Sequence, residues 1–114
     1  MKITLAQLNY HIGNFEGNLQ KMLAAVKQAK NEGSDIVCFG EMATCGYPPR
    51  DFLEFRDFIL HSMESVQKLA EAAQGIAIAV GSPSVNPVIE GKDLYNSAFF
   101  LFDVKIEHIE YKSV

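Results

Sequence analysis

The reactive side chains of this 114-residue sequence crowd into one stretch. Within residues 35–51, DIVCFGEMATCGYPPRD, a carboxylate (Glu41), two thiols (Cys38 and Cys45) and a phenol (Tyr47) lie close together. Glu41 comes almost directly after an apolar run and is itself succeeded by glycine and proline, which predicts a carboxylate just past the end of a strand. In an open α/β sheet that position opens on the ligand crevice, so Glu41 is a candidate general base. The opposing reading is a solvated loop glutamate, the ordinary habit of that residue. Lys112 is the second candidate. A lysine on an inner strand must be paired, and Glu41 at another strand end can be its partner; an exposed strand lysine needs none.

Other groups carry less. Cys45, four residues after Glu41, suggests a nucleophile, but a neighbouring negative charge raises a thiol pKa and Arg50 is the one cation in the loop. Cys38, inside the apolar run, reads as a small hydrophobe. His11, His61 and His108 show neither HxxxH nor HxH spacing and no cysteine pair accompanies them, so a zinc site has no support. Neither a GxGxxG nor a GxxxxGK[ST] loop occurs, which removes two common phosphate cradles. Pro48 and Pro49 read as a rigid turn beside a strand end rather than as a polyproline ligand.

The elements that must position these groups can be read from periodicity. Ile3 to Leu8 carries apolar groups on both alternating faces, which predicts an interior strand of a covered sheet. Asn14 or Gly17 starts a helix whose stripe is Leu19, Met22, Leu23 and Val26, and Gly33 ends it. Residues 35–39 form the second strand, parallel to the first through a right-handed crossover. Asp51 can cap a short helix. A longer one begins at Arg56 or Asp57, keeps the stripe Ile59, Met63, Val66, Ala70 and Ala73, reaches Gln74 and breaks at Gly75. Residues 76–80 predict a third, buried strand ending at Gly81, Ser82 and Pro83, with 84–93 an exposed loop. Residues 94–102 and 106–112 pair as a hairpin across Asp103 to Lys105. Strict alternation in the last strand puts Ile106, His108, Glu110 and Lys112 on one side and Glu107, Ile109 and Tyr111 on the other, neither cleanly apolar. The class is α/β with a mixed sheet, in one domain.

Composition narrows the partners. A net charge of −4 with scattered Lys and Arg offers no basic face for nucleic acid. The amino-terminal residues lack the pattern of a signal peptide, no apolar run spans a membrane, and two cysteines fit a reducing, cytoplasmic setting. A bare terminal strand invites association, so the 114 residues are expected to be part of something longer or to need a partner chain.

Three segments, AQLNYHIGNFEGNLQKM, FGEMATCGYPPRDFLE and IEYKSV, resemble in order and spacing the start of the carbon-nitrogen hydrolase (nitrilase) superfamily. Within it, the GYPPRDFL run is similar to the branch of amino-terminal glutaminase domains that serve glutamine-dependent NAD synthesis. The resemblance implies part of an α-β-β-α nitrilase-type sandwich, with residues 1–114 the incomplete amino-terminal part of the domain. It implies a Glu-Lys-Cys triad that hydrolyses a side-chain amide through a thioester. Position by position, Glu41 matches the general base, Lys112 the lysine that stabilises the oxyanion, and Tyr47 the tyrosine lining the glutamine pocket. The family's nucleophilic cysteine comes downstream of the lysine, and neither Cys38 nor Cys45 occupies that place, so the segment alone is expected to be inert. Glutamine is the implied substrate, with deamido-NAD and ATP with Mg at a separate synthetase domain, in a homo-oligomer. Two other readings stay open: another linear amide as substrate, or a non-catalytic α/β interaction domain in which Glu41 and Lys112 form a structural ion pair.

Overall fold

The computed structural model describes residues 1–40, 43–45, 56–85 and 94–113, with backbone alone at 56–58, 84–85, 94–96 and 111–113. The elements run β1 (Ile3–Ala6), α1 (Phe15–Asn31), β2 (Ile36–Phe39), α2 (Arg56–Glu71), β3 (Ala77–Val85), β4 (Leu94–Phe102) and β5 (Lys105–Ser113).

Helix α1 starts where Asn14 turns its side chain back to accept from the Gly17 amide at 3.0 Å. A Cβ at Gly17 would stand 2.5 Å from the Asn14 side-chain nitrogen, so a larger residue there would push the capping side chain aside. The helix stops at Gly33, whose φ of +80° few other residues adopt cheaply. Leu19, Met22 and Val26 are buried as the spacing predicts, Ala29 joins them, and Leu23 is only half-buried. Helix α2 buries Ile59, Val66, Leu69 and Ala70. Its regular turns end at Glu71, three residues short of the predicted end, because the Ala72 and Ala73 amides donate to Leu69 and Ala70 in tighter i to i−3 bonds.

The strands form one sheet in the order β1-β2-β3-β4-β5. β1, β2 and β3 are mutually parallel, and β4 runs antiparallel to both β3 and β5. Four strands therefore finish at one end of the sheet, the rim, and β4 finishes at the other. Both helices lie on one face, over Val37, Phe39, Ile78, Val80, Phe99 and Leu101. Burying side chains of this size stabilises by about 1.5–3 kcal/mol each before entropy is counted.

Three expectations are corrected. Among the described residues β1 stands at the edge of the sheet rather than inside it: it pairs only with β2, and Leu5 is 75% exposed. Apolar groups on both faces of so short a strand do not distinguish an edge from a centre. β3 does not end at Pro83 but continues to Val85, because eight residues, Ile78 to Val85, pair with β4. Its pairing with β2 ends at Cys38 and Ala79, so the missing N–H of Pro83 lies beyond that ladder. The alternation in β5 is not strict. Leu101 pairs with Ile106 while Phe100 pairs with His108, leaving Glu107 as the extra residue of a β-bulge. The bulge resets the alternation, so that Ile106 and Ile109 both pack on the core while His108 and Glu110 stay exposed together, their side chains 2.9 Å apart.

Candidate functional site

At the rim, β2 delivers the chain through Phe39, which is buried, to Gly40, one residue before Glu41. Lys112 lies near the end of β5, in register with Asn96 of β4, which itself pairs with Pro83 of β3. β2 and β5 run the same way, so position 112 and the exit of β2 belong to the same end of the sheet. Three strand spacings separate those two strands, about 14 Å. Between them lie Pro83 and Asn96 in register with Lys112, and one pair further in Ser82 on β3 opposite Ser97 on β4. Glu41 and Tyr47, with the expected cap Asp51, the double proline and Arg50, lie outside the described residues, as does the side chain of Lys112.

Residues 43–45, just past the glutamate, are deeply buried. Ala43, Thr44 and Cys45 each have no exposed surface. The Thr44 hydroxyl meets that of Ser82 on β3 at 2.7 Å, and Ser82 also donates to the Pro83 carbonyl at 3.1 Å. Asn18, early in α1 and fully buried, uses its amide to join two segments. Its nitrogen donates to the His11 carbonyl at 2.9 Å and to the Thr44 carbonyl at 3.4 Å, and its oxygen accepts from the His11 amide at 2.9 Å. The Gly13 amide adds a bond to the Cys45 carbonyl at 3.0 Å. Segment 43–45 is thus clasped by α1, by the loop before it and by β3.

Cys45 is held as a neutral thiol. Burial pushes it up to about 12, and a hydrogen bond with Ser62 on α2 opposes that shift only in part. It packs with Ile59 and with half-buried Phe15 and Met63. This agrees with its exclusion as the nucleophile, since the thiolate is the attacking form. Cys38 is half-buried rather than part of the core, and burial raises its thiol too. Neither cysteine is in a disulfide. His61 lies against the Phe15 ring with centroids 5.4 Å apart. Among the described residues no group of three His, Cys, Asp or Glu converges as a metal site. No helix among them is long and apolar enough to cross a membrane.

Asn18, Thr44 and Ser82 do not stand out by residue type. A signal exists for Asn18: it stands four residues before Met22 and eight before Val26, a polar residue on the apolar stripe of α1. For Thr44 and Ser82, 38 positions apart, local sequence holds no comparable mark.

The carbon-nitrogen hydrolase family model matches residues 2–112. Over 108 residues the chain is 34% identical to a glutamine-dependent NAD(+) synthetase of Xylella fastidiosa, covering 94% of this chain and 19% of that protein. The glutamine-dependent NAD+ synthetase of Acinetobacter baumannii superposes with a TM-score of 0.83 at 32% identity, over 96% of this chain and 20% of that one. An amidase from Nesterenkonia sp. shares the fold, with a TM-score of 0.79 at 19% identity over 98% of this chain and 42% of that one. The chain therefore spans about a fifth of the length of the curated relatives it matches. By the match along nearly all its length, the chain belongs to the carbon-nitrogen hydrolase family.

Proposed function

We propose that these residues are the leading part of a glutaminase domain that releases ammonia from glutamine for ATP-dependent NAD synthesis from deamido-NAD. The observation that carries this reading is the similarity of almost the whole chain to glutamine-dependent NAD(+) synthetases, reaching 40% identity over 103 residues with that of Synechocystis sp.. Glu41 takes the proton of a cysteine thiol supplied by another part of the protein. The sulfur attacks the glutamine amide carbon, and Lys112 stabilises the oxyanion. The C–N bond breaks, the proton leaves with ammonia, and water cleaves the thioester to glutamate, regenerating the thiol. Tyr47 lines the glutamine pocket. The E41L mutant of the Nesterenkonia amidase shows covalent addition of the acetamide moiety of fluoroacetamide at its active-site cysteine, which is in keeping with a sulfur nucleophile here. ATP with Mg and deamido-NAD belong to a synthetase domain outside these residues, in a cytoplasmic homo-oligomer.

The test uses the full-length gene product with ATP, Mg²⁺ and deamido-NAD, and either glutamine or ammonium as nitrogen source. Glutamate release and NAD formation should both proceed from glutamine. Glu41→Gln should cut the glutamine-driven rate by at least about 100-fold and spare the ammonium-driven rate. Turnover of simple linear amides in place of glutamine would move the assignment to another amidase branch, and an unchanged rate in Glu41→Gln would leave only a structural ion pair.

A further inference from the structure

We propose that Asn18, Thr44 and Ser82 are positioning residues for the catalytic glutamate, acting through the backbone of segment 43–45. This rests on the glutaminase reading and goes beyond it. The segment begins two residues after Glu41, and the chain just before Glu41 is fixed by β2, whose Phe39 is buried. Position 41 is therefore bracketed by a sheet strand on one side and a buried clasp on the other.

Stability alone does not call for this clasp. A buried, mutually bonded hydroxyl pair can be replaced by apolar groups of like shape at little cost or with a gain. Buried hydroxyls occur away from the rim as well, Ser34 and Ser65 among them, but beside Glu41 the bonds of Asn18 and Ser82 converge on one short segment. Hydrogen bonds add direction, which apolar contact does not. The 2.7 Å contact between Thr44 and Ser82 ties the segment to the third strand, and the Asn18 amide ties it to the first helix. A general base must be held to within about 0.5 Å of its working place, and a displacement near 1 Å costs on the order of 100-fold in rate.

The experiment compares the full-length wild type with Thr44→Val/Ser82→Ala, which removes both hydroxyls and leaves neither unpaired, and with Thr44→Ser, which keeps the bond. Ammonium-driven NAD formation in the same preparation counts the folded protein. The double variant should lose roughly 10- to 100-fold in kcat for glutamine hydrolysis, with KM within about threefold and the ammonium-driven rate unchanged. Thr44→Ser should recover most of the loss. The acid limb of kcat/KM should also be displaced, since that limb reports the base. Wild-type kcat in the double variant, or equal losses in both nitrogen-source assays, would overturn the proposal. Should the double variant not fold, Ser82→Ala alone is read in the same way. The two readings fail separately. A wild type that leaves glutamine intact removes both, whereas a wild type silenced by Glu41→Gln but not by the double variant removes only this one.

Discussion

The site-bearing rim and the β4–β5 hairpin at the far end of the sheet are built differently. At the rim, polar groups are buried: Asn18, Thr44 and Ser82 have no exposed surface yet each finds a hydrogen-bond partner. At the far end Ser34 is buried too, but the hairpin exposes apolar groups. The β4–β5 hairpin leaves Phe102 and Val104 nearly half exposed, and it turns through Asp103 and Val104 at φ of 52° and 65°. Two positive φ values make the tight turn whose twist suits a hairpin, but a β-branched residue is an uncomfortable occupant. One bond from the Val104 amide to the Ala73 carbonyl, at 3.1 Å, ties that turn to the end of α2. The rim holds each of these buried polar groups in a bond, as an active site that works by position would need.

The largest test of that contrast concerns Lys112. Replacing it by Met in the full-length protein should lower glutamine hydrolysis by about 100- to 1000-fold, the usual cost of losing an oxyanion-stabilising group, with ammonium-driven synthesis spared. Activity within a few-fold of wild type would break the assignment of function to the rim.

Next come two of the three phenylalanines of β4, Phe99 and Phe102. Phe99, 2% exposed beneath the helices, should cost about 3–5 kcal/mol when cut to Ala, read from urea midpoints. Phe102→Ala at the far end should cost less than about 1 kcal/mol. Similar losses at both would mean that the far end is as tightly packed as the centre.

The third test uses pH. The Cys45 thiol is pushed from 9.0 up to about 12 by burial, so the folded chain holds its proton more tightly than the unfolded chain does. Its contribution is complete below the ordinary value and fades as pH climbs through 9 toward 12, at up to about 1.4 kcal/mol per pH unit. Tyr10, raised by burial from 10.0 to about 12, acts in the same direction only above 10. Between about pH 8 and 10, wild type should lose stability relative to Cys45→Ala, and parallel curves would show that the thiol is not held neutral.

The smallest effect belongs to the hairpin. Val104→Gly should raise stability by about 1 kcal/mol, the strain relieved less the entropy added to the unfolded chain, and leave amide turnover unchanged. A loss of turnover would show that the two ends are coupled.

Much of the fold is legible in the sequence because it is local. The stripe Leu19, Met22 and Val26, the stop at Gly33, the hairpin at 103–104 and the family segments around Glu41 and Lys112 are all patterns over a few turns or residues. Sequence by itself determined the order and type of the elements, the family, and the candidate acid–base pair, since periodicity and motif spacing need no knowledge of distant neighbours. Tertiary structure alone decided that β1 is an edge among the described residues, that a bulge at Glu107 turns Ile106 and Ile109 to the same core, that Cys45 is fully buried, and that Ser82 reaches Thr44. Each of these depends on a partner far away in the chain, and backbone pairing and burial choose such partners by the fit of whole surfaces rather than by any residue's own preference.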